Sequence, residues 1–176
     1  MNDLRIAVSG KSGCGNTTVS KMAADALGLR FINFTFRSLA EEKNLTLKEV
    51  MEKAAKDDFW DREVDRRQVA IAREEGGCVL GSRLAIWMLK EADFKVYLRA
   101  KPETRAARVL KREGGSLEEV AAFTSERDRQ DRERYLRIYQ IDNDLYDFAD
   151  LIIDTDELTP DQIAALITAG AQKIKK

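Results

Sequence analysis

The sequence predicts an α/β fold, a parallel sheet covered by helices on both faces, on two observations. Five short apolar runs, at residues 4–8, 30–34, 77–80, 94–98 and 151–153, have the length of strands and carry no polar alternation. Between them, residues 17–27, 47–55, 59–74, 84–90, 102–111, 117–139 and 160–174 place apolar side chains at helical spacing. Strands that alternate with helices are joined by crossovers, run parallel and are buried on both faces, which is why they read as unbroken apolar runs. At 176 residues with two prolines, the chain reads as one domain, residues 1–176.

Composition narrows the chemistry. Thirty basic and thirty-one acidic residues leave a formal net charge of −1, so no global field draws the chain to nucleic acid or an anionic membrane. No apolar stretch approaches the roughly 20 residues that span a bilayer, and the first residues lack the apolar core of a signal peptide, so a cytoplasmic protein is expected. Two cysteines, Cys14 and Cys78, make no disulfide framework. The absence of histidine removes Ser-His triads, imidazole acid-base catalysis and His-ligated metals, while leaving phosphoryl transfer, which runs on positioning and charge.

In chain order, the first apolar run leads into Gly10, Lys11, Ser12, Gly13, Cys14, Gly15, Asn16, Thr17 and Thr18. The phosphate-loop pattern G-x-x-x-x-G-K-[ST] is met at Gly10, Gly15 and Thr17 and missed at Asn16, with Gly13 as an extra glycine. Backbone N–H groups of such a turn, with those opening the next helix, converge on an anion. Thr17 stands where a Mg2+ ion takes a hydroxyl oxygen, and Thr18 offers a second hydroxyl. Lys11 is the cation nearest in sequence to make good the lysine missing at position 16. Cys14 would line the loop, where helix-start electrostatics favour a reactive thiolate; the alternative is a small packed residue.

Between the second and third runs lie about 40 residues of helix, more than a crossover needs. After the third run comes Gly81-Ser82-Arg83. Pro102 opens the next helix as a first-turn proline, and Thr159 with Pro160 does so for the last. Glu113-Gly-Gly-Ser116 interrupts a charged helical pair whose first member carries Arg105, Arg108 and Arg112, which a closing lid would bring onto a transferring phosphoryl group. In the second member, steps of four and three place Arg127, Asp131 and Arg134 within roughly 60° of one helix face. A solvated ion-paired face explains such a run equally well. Asp61, Asp65 and Arg66 are open to the same two readings, as pocket residues or as surface ion pairs.

Six segments, 10–18, 61–68, 79–85, 111–116, 134–139 and 149–155, together resemble the cytidylate kinases over nearly the whole chain. The likeness is greatest to the short archaeal-type branch, where the loop lysine is itself often replaced. The resemblance implies a three-layer P-loop NTPase fold with a five-stranded parallel sheet, an NMP-binding helical insertion at about 35–75 and a lid at about 112–134. It implies transfer of the γ-phosphoryl group of ATP to CMP or dCMP with Mg2+. Residues 10–18 would wrap the ATP phosphates, with Thr17 on the metal. Arg37, Arg127 and Arg134 would grip the acceptor nucleotide, Asp131 would face its sugar and Arg83 its cytosine. Lys11, Arg112, Arg127 and Arg134 are the candidate catalytic residues. A monomer is expected, with nucleotides as its partners. The alternatives are a kinase of UMP, AMP or a shikimate-like alcohol, and a non-catalytic nucleotide sensor suggested by Asn16 and by Gly81, where many relatives carry an acid.

Overall fold

The computed structural model describes residues 3–74 and 77–174. Its sheet has five parallel strands in the order β2-β3-β1-β4-β5, with β1 Arg5–Gly10, β2 Arg30–Ile32, β3 Cys78–Gly81, β4 Phe94–Arg99 and β5 Leu151–Asp154. Central β1 pairs Val8 with Gly81 of β3 and with Val96 of β4. Its Ile6, Ala7 and Val8 are fully buried, the price of having helices on both faces.

The helices are α1 Asn16–Leu27, α2 Phe36–Glu42, α3 Leu47–Ala54, α4 Phe59–Glu74, α5 Ala85–Met88, α6 Pro102–Glu113, α7 Leu117–Tyr139 and α8 Pro160–Ile174. On one face of the sheet Ile6, Val8, Val96 and Leu98 pack with Val19 of α1 and Ile167 of α8. On the other, Ala7, Leu80 and Tyr97 pack with Val69 of α4 and Ile86 of α5. This is the doubly covered sheet expected, and Cys78 lies fully buried in it.

Differences from the expected elements are local. The second strand stops at Ile32, and α2 occupies a segment with no helical expectation. Its start is set by Thr35 and Ser38, whose side chains cap each other's backbone N–H groups. The helix expected at 84–90 shortens to Ala85–Met88. Pro102 opens α6 as expected, and Thr159 caps α8 by accepting from the Gln162 N–H at 3.3 Å. Helix α7 is an unbroken rod of 23 residues started by a Ser116–Glu119 capping box. Gly114 and Gly115, with φ of 78° and 102°, make the reversal between α6 and α7.

Both insertions stand beyond the carboxyl ends of β1, β3 and β4. There they enclose, with the loop that follows β1, one cavity of 690 Å³.

Candidate active site

The loop from Gly10 to Thr18 forms one end of the cavity. Gly13 and Gly15 hold φ of 85° and 95°, a region that only glycine enters at little cost. The turn is closed by Cys14 N–H donating to the Lys11 carbonyl at 3.1 Å. Helix α1 starts directly from it with no side-chain cap and no acidic residue in its first turn, whereas α2, α3 and α7 each carry a capping box. Its first-turn N–H groups, which carry the positive end of the helix dipole, are therefore left to an anion in the cavity. Thr17 and Thr18 are exposed on that turn and line the cavity.

The loop is held from behind by α6. Arg105, only 5% exposed, donates to the Ser12 carbonyl at 3.2 Å and pairs with Asp128 of α7. Arg108 donates to the Gly13 carbonyl at 3.3 Å and to the Thr155 hydroxyl at 2.9 Å. Of the three arginines expected at a transferring phosphoryl group, Arg105, Arg108 and Arg112, the last two line the cavity here and Arg105 does not. The first two are spent on loop carbonyls, and Arg112 lies at the rim beside Glu113. A guanidinium bound to a carbonyl turns that peptide's dipole, so these arginines aim the loop as well as add charge to it.

Asn16 folds inward, its amide nitrogen donating to the Gly10 carbonyl at 2.6 Å, and ties the two ends of the loop together. Lys11 does not take the place of the missing lysine here. Its ammonium is 2.6 Å from Asp144, in a segment further held by Arg132 on Asp142 and by Tyr146 stacked on Tyr97. Cys14 is buried, and burial pushes its thiol up to about 11, against a thiolate there.

The opposite wall is built from three separate segments. Arg83 follows β3 in a turn pinned to β1, where Ser82 N–H donates to the Val8 carbonyl and Ile86 N–H to the Ser9 hydroxyl, each at 3.1 Å. Asp131 of α7, 5% exposed, takes Arg83 at 3.0 Å on one oxygen and Arg134 at 2.9 Å on the other. Arg134 also lies 3.2 Å from Asp61 of α4. The structure thus brings Arg83, Arg127, Asp131 and Arg134 together, and Asp131 is the carboxylate that spaces the guanidiniums.

Charge within this wall is uneven. Burial alone would lower the Arg83 and Arg134 guanidiniums, but Tyr135 and the carboxylates beside them hold both above their ordinary values. Arg127 goes the other way, pulled down by burial and by Arg83. Among the described residues no carboxylate forms an ion pair with Arg127, which leaves it the least compensated cation of the wall.

Arg37 is not brought to this wall. It is exposed on α2, and the lining there comes from Thr35 and Phe36. Arg66 is likewise outside, paired with Glu63 on the exposed face of α4. Asp65 lines the cavity, with burial pushing its carboxyl up to about 6 and the Tyr139 hydroxyl donating to it at 2.6 Å. Gln68, one turn further along α4, lines it too and had drawn no attention in the sequence; its i+7 spacing from Asp61 was the available signal.

A glycine loop between the first strand and first helix of a parallel sheet, facing arginines across a single cavity, defines a P-loop kinase. The solved structures agree on the fold. Shikimate kinase from Bacteroides thetaiotaomicron superposes with a TM-score of 0.62 at 20% identity, covering 98% of this chain and 96% of that one. Deoxyadenosine kinase from M. mycoides gives 0.57 at 18%, covering 96% and 100%.

Sequence comparison narrows the class. The chain belongs to the cytidylate kinase-like family, whose model matches residues 5–157. Cytidylate kinase 2 of Borreliella afzelii is 48% identical over 93% of this chain and 94% of its own length. Cytidylate kinase of Pyrococcus horikoshii is 44% identical over 95% and 88%. Among the described residues no helix is long and apolar enough to cross a membrane.

Proposed function

We propose that this protein transfers the γ-phosphoryl group of ATP to CMP or dCMP, yielding ADP and CDP or dCDP. The observation that carries the reading is the juxtaposition, in one cavity, of an uncapped glycine loop at one end and the Arg83–Arg127–Arg134 wall at the other. Family membership and relatives named cytidylate kinase support the choice of acceptor.

In this reading residues 10–18 bind the donor's phosphates through N–H groups, with Thr17 and Thr18 adding hydroxyls. Arg127 and Arg134 hold the acceptor's phosphate, Arg83 stands toward its cytosine, and Asp131, facing its sugar, keeps Arg83 and Arg134 apart and aimed. An oxygen of the acceptor phosphate forms a bond to the γ-phosphorus as the bond to the oxygen leaving with ADP breaks. The enzyme contributes alignment and charge stabilisation, and its own side chains form no covalent intermediate.

The residues fit a Mg2+ ion of the kind carried in with a nucleotide. Thr17 is an exposed hydroxyl at the helix start, and such an ion keeps water and phosphate for its other positions. When bound it would neutralise phosphate charge. Gly81 and Ser82 provide no carboxylate to it at the end of β3.

The same reading assigns the insertion at about 35–75 to acceptor binding and residues 112–134 to a lid that turns on Gly114 and Gly115 and carries Arg112 inward. Lys11 leaves Asp144 for the donor phosphates, and Arg37 reaches the acceptor only if α2 moves. A cytoplasmic monomer acting on free nucleotides completes it. A coupled assay over all nucleoside monophosphates tests the proposal: CDP formation from ATP and CMP is expected, and is much slower in Arg134→Ala. Nucleotide binding without turnover would leave a sensor instead, the reading that the inward-folded Asn16 favours.

A further inference from the structure

Asp61 and Asp131 in the acceptor wall answer to arginines, whereas Asp65 draws its hydrogen bonds from neutral groups. Tyr139 donates its hydroxyl proton to one carboxylate oxygen at 2.6 Å, and the Gln68 amide nitrogen approaches the other at 3.5 Å. Burial raises Asp65 to about 6, so at neutral pH and above it is mostly ionised and can only accept.

That has a consequence for Gln68. A free amide turns over to suit either a donor or an acceptor, but an ionised neighbour selects its NH2 end. The Gln68 carbonyl oxygen is thereby turned away from Asp65. It is a buried oxygen with no hydrogen-bond partner, on a side chain only 5% exposed. Both residues line the cavity beside the apolar surfaces of Phe34, Val64 and Leu84, which suit the faces of a planar ring. Tyr139, Asp65 and Gln68 form a relay that ends in acceptors.

We propose that Asp65 and Gln68 read the base of the acceptor nucleotide, taking hydrogen bonds from the exocyclic amino group of cytosine and repelling the keto oxygen that uracil carries there. The proposal rests on the acceptor being a nucleoside monophosphate and adds the residues that select its base. Carboxylates and amides discriminate the amino edge of a base by the same acceptor logic wherever they meet one. Tyr139 acts as a positioning residue, holding Asp65 so that Asp65 holds Gln68.

The test compares kcat/KM for CMP and UMP in the full chain, wild type against Asp65→Asn, Gln68→Leu and Tyr139→Phe. The wild type is expected to favour CMP. Asp65→Asn, which gives the relay a donor and frees the amide to turn, is expected to lower the CMP-to-UMP ratio by roughly tenfold to a hundredfold. Gln68→Leu should lower it to a similar extent, and Tyr139→Phe by less. Stabilisation of each variant against heat by CMP and by UMP gives the same ratio without turnover and shows that the variant is folded. A wild type that phosphorylates both nucleotides equally, or Asp65→Asn and Gln68→Leu variants that keep the wild-type ratio, would overturn the assignment of base reading while leaving the kinase standing. A wild type that makes no CDP would overturn the function itself and the assignment with it.

Discussion

The two ends of the cavity offer positive charge by different means. At the donor end a continuous run of nine residues supplies backbone N–H groups, and α6 aims them by holding the Ser12 and Gly13 carbonyls. At the acceptor end every contributor is a side chain, drawn from α4, the turn after β3 and α7, and spaced by Asp131 and Asp61. The loop relies first on its backbone, and Asn16, in the lysine position, serves it as an internal tie. The arginine wall is less tolerant, because removing Arg134 leaves Asp61 without its arginine and Asp131 with only one of its two. Backbone recognition is robust to substitution and tuned by conformation; side-chain recognition is the reverse.

The largest expected effect follows at the acceptor end. Arg134→Ala should lower kcat/KM for CMP by roughly a hundredfold, since hydrogen bonds to charged groups are worth about 1.5–3 kcal/mol and Arg134 also faces Asp131 and Asp61. Its KM for ATP should barely move; steady-state kinetics with each nucleotide varied in turn decide this, and an equal loss on both would erase the distinction between the two ends.

At the donor end conformation should matter more than charge. Gly13→Ala places a Cβ 2.8 Å from the Arg105 carbonyl at φ of +85°, a left-handed position that costs about 1–2 kcal/mol outside glycine before the contact is counted. We expect a rise of about tenfold in KM for ATP with a lower Tm, read by kinetics and thermal melting. Lys11→Ala should raise KM for ATP only severalfold, because the ammonium must first leave Asp144; no change at all would confine Lys11 to its tether.

The smallest effect is on stability. Burial raises the Asp65 carboxyl from its ordinary range to about 6, so its favourable contribution is complete below about 4, the value of an unfolded aspartate, and is lost as pH rises through 6. Asp65→Asn should therefore melt a few degrees above the wild type at pH 7.5, with the gap closing by pH 4.5. A gap independent of pH would mean that Asp65 carries no buried charge.

How much of this was legible in the sequence varies with the range of the interactions. The strand runs, the capped start of α8 and the loop at 10–18 could be read because apolar runs, turn residues and glycine spacing are local signals. The face shared by Arg127, Asp131 and Arg134 followed from helical geometry alone. Arg105 and Arg108 could not be placed, because facing the phosphate and holding the loop's reverse side produce the same spacing along α6. Helix α2 was missed where a short capping pair was the only signal, and Gln68 because an isolated glutamine on a helix resembles a solvated one.

By itself, the amino-acid order determined the alternation of buried strands and helices, the glycine turn after β1 and the line of guanidiniums on α7, since each depends on neighbours within a few residues. Only the folded chain decided which cation meets which carboxylate: Asp144 takes Lys11, Asp128 takes Arg105 and Asp131 is shared by Arg83 and Arg134. Charge attracts without regard to separation along the chain, so the choice among thirty basic and thirty-one acidic residues falls to whichever pairs the packed sheet brings within reach.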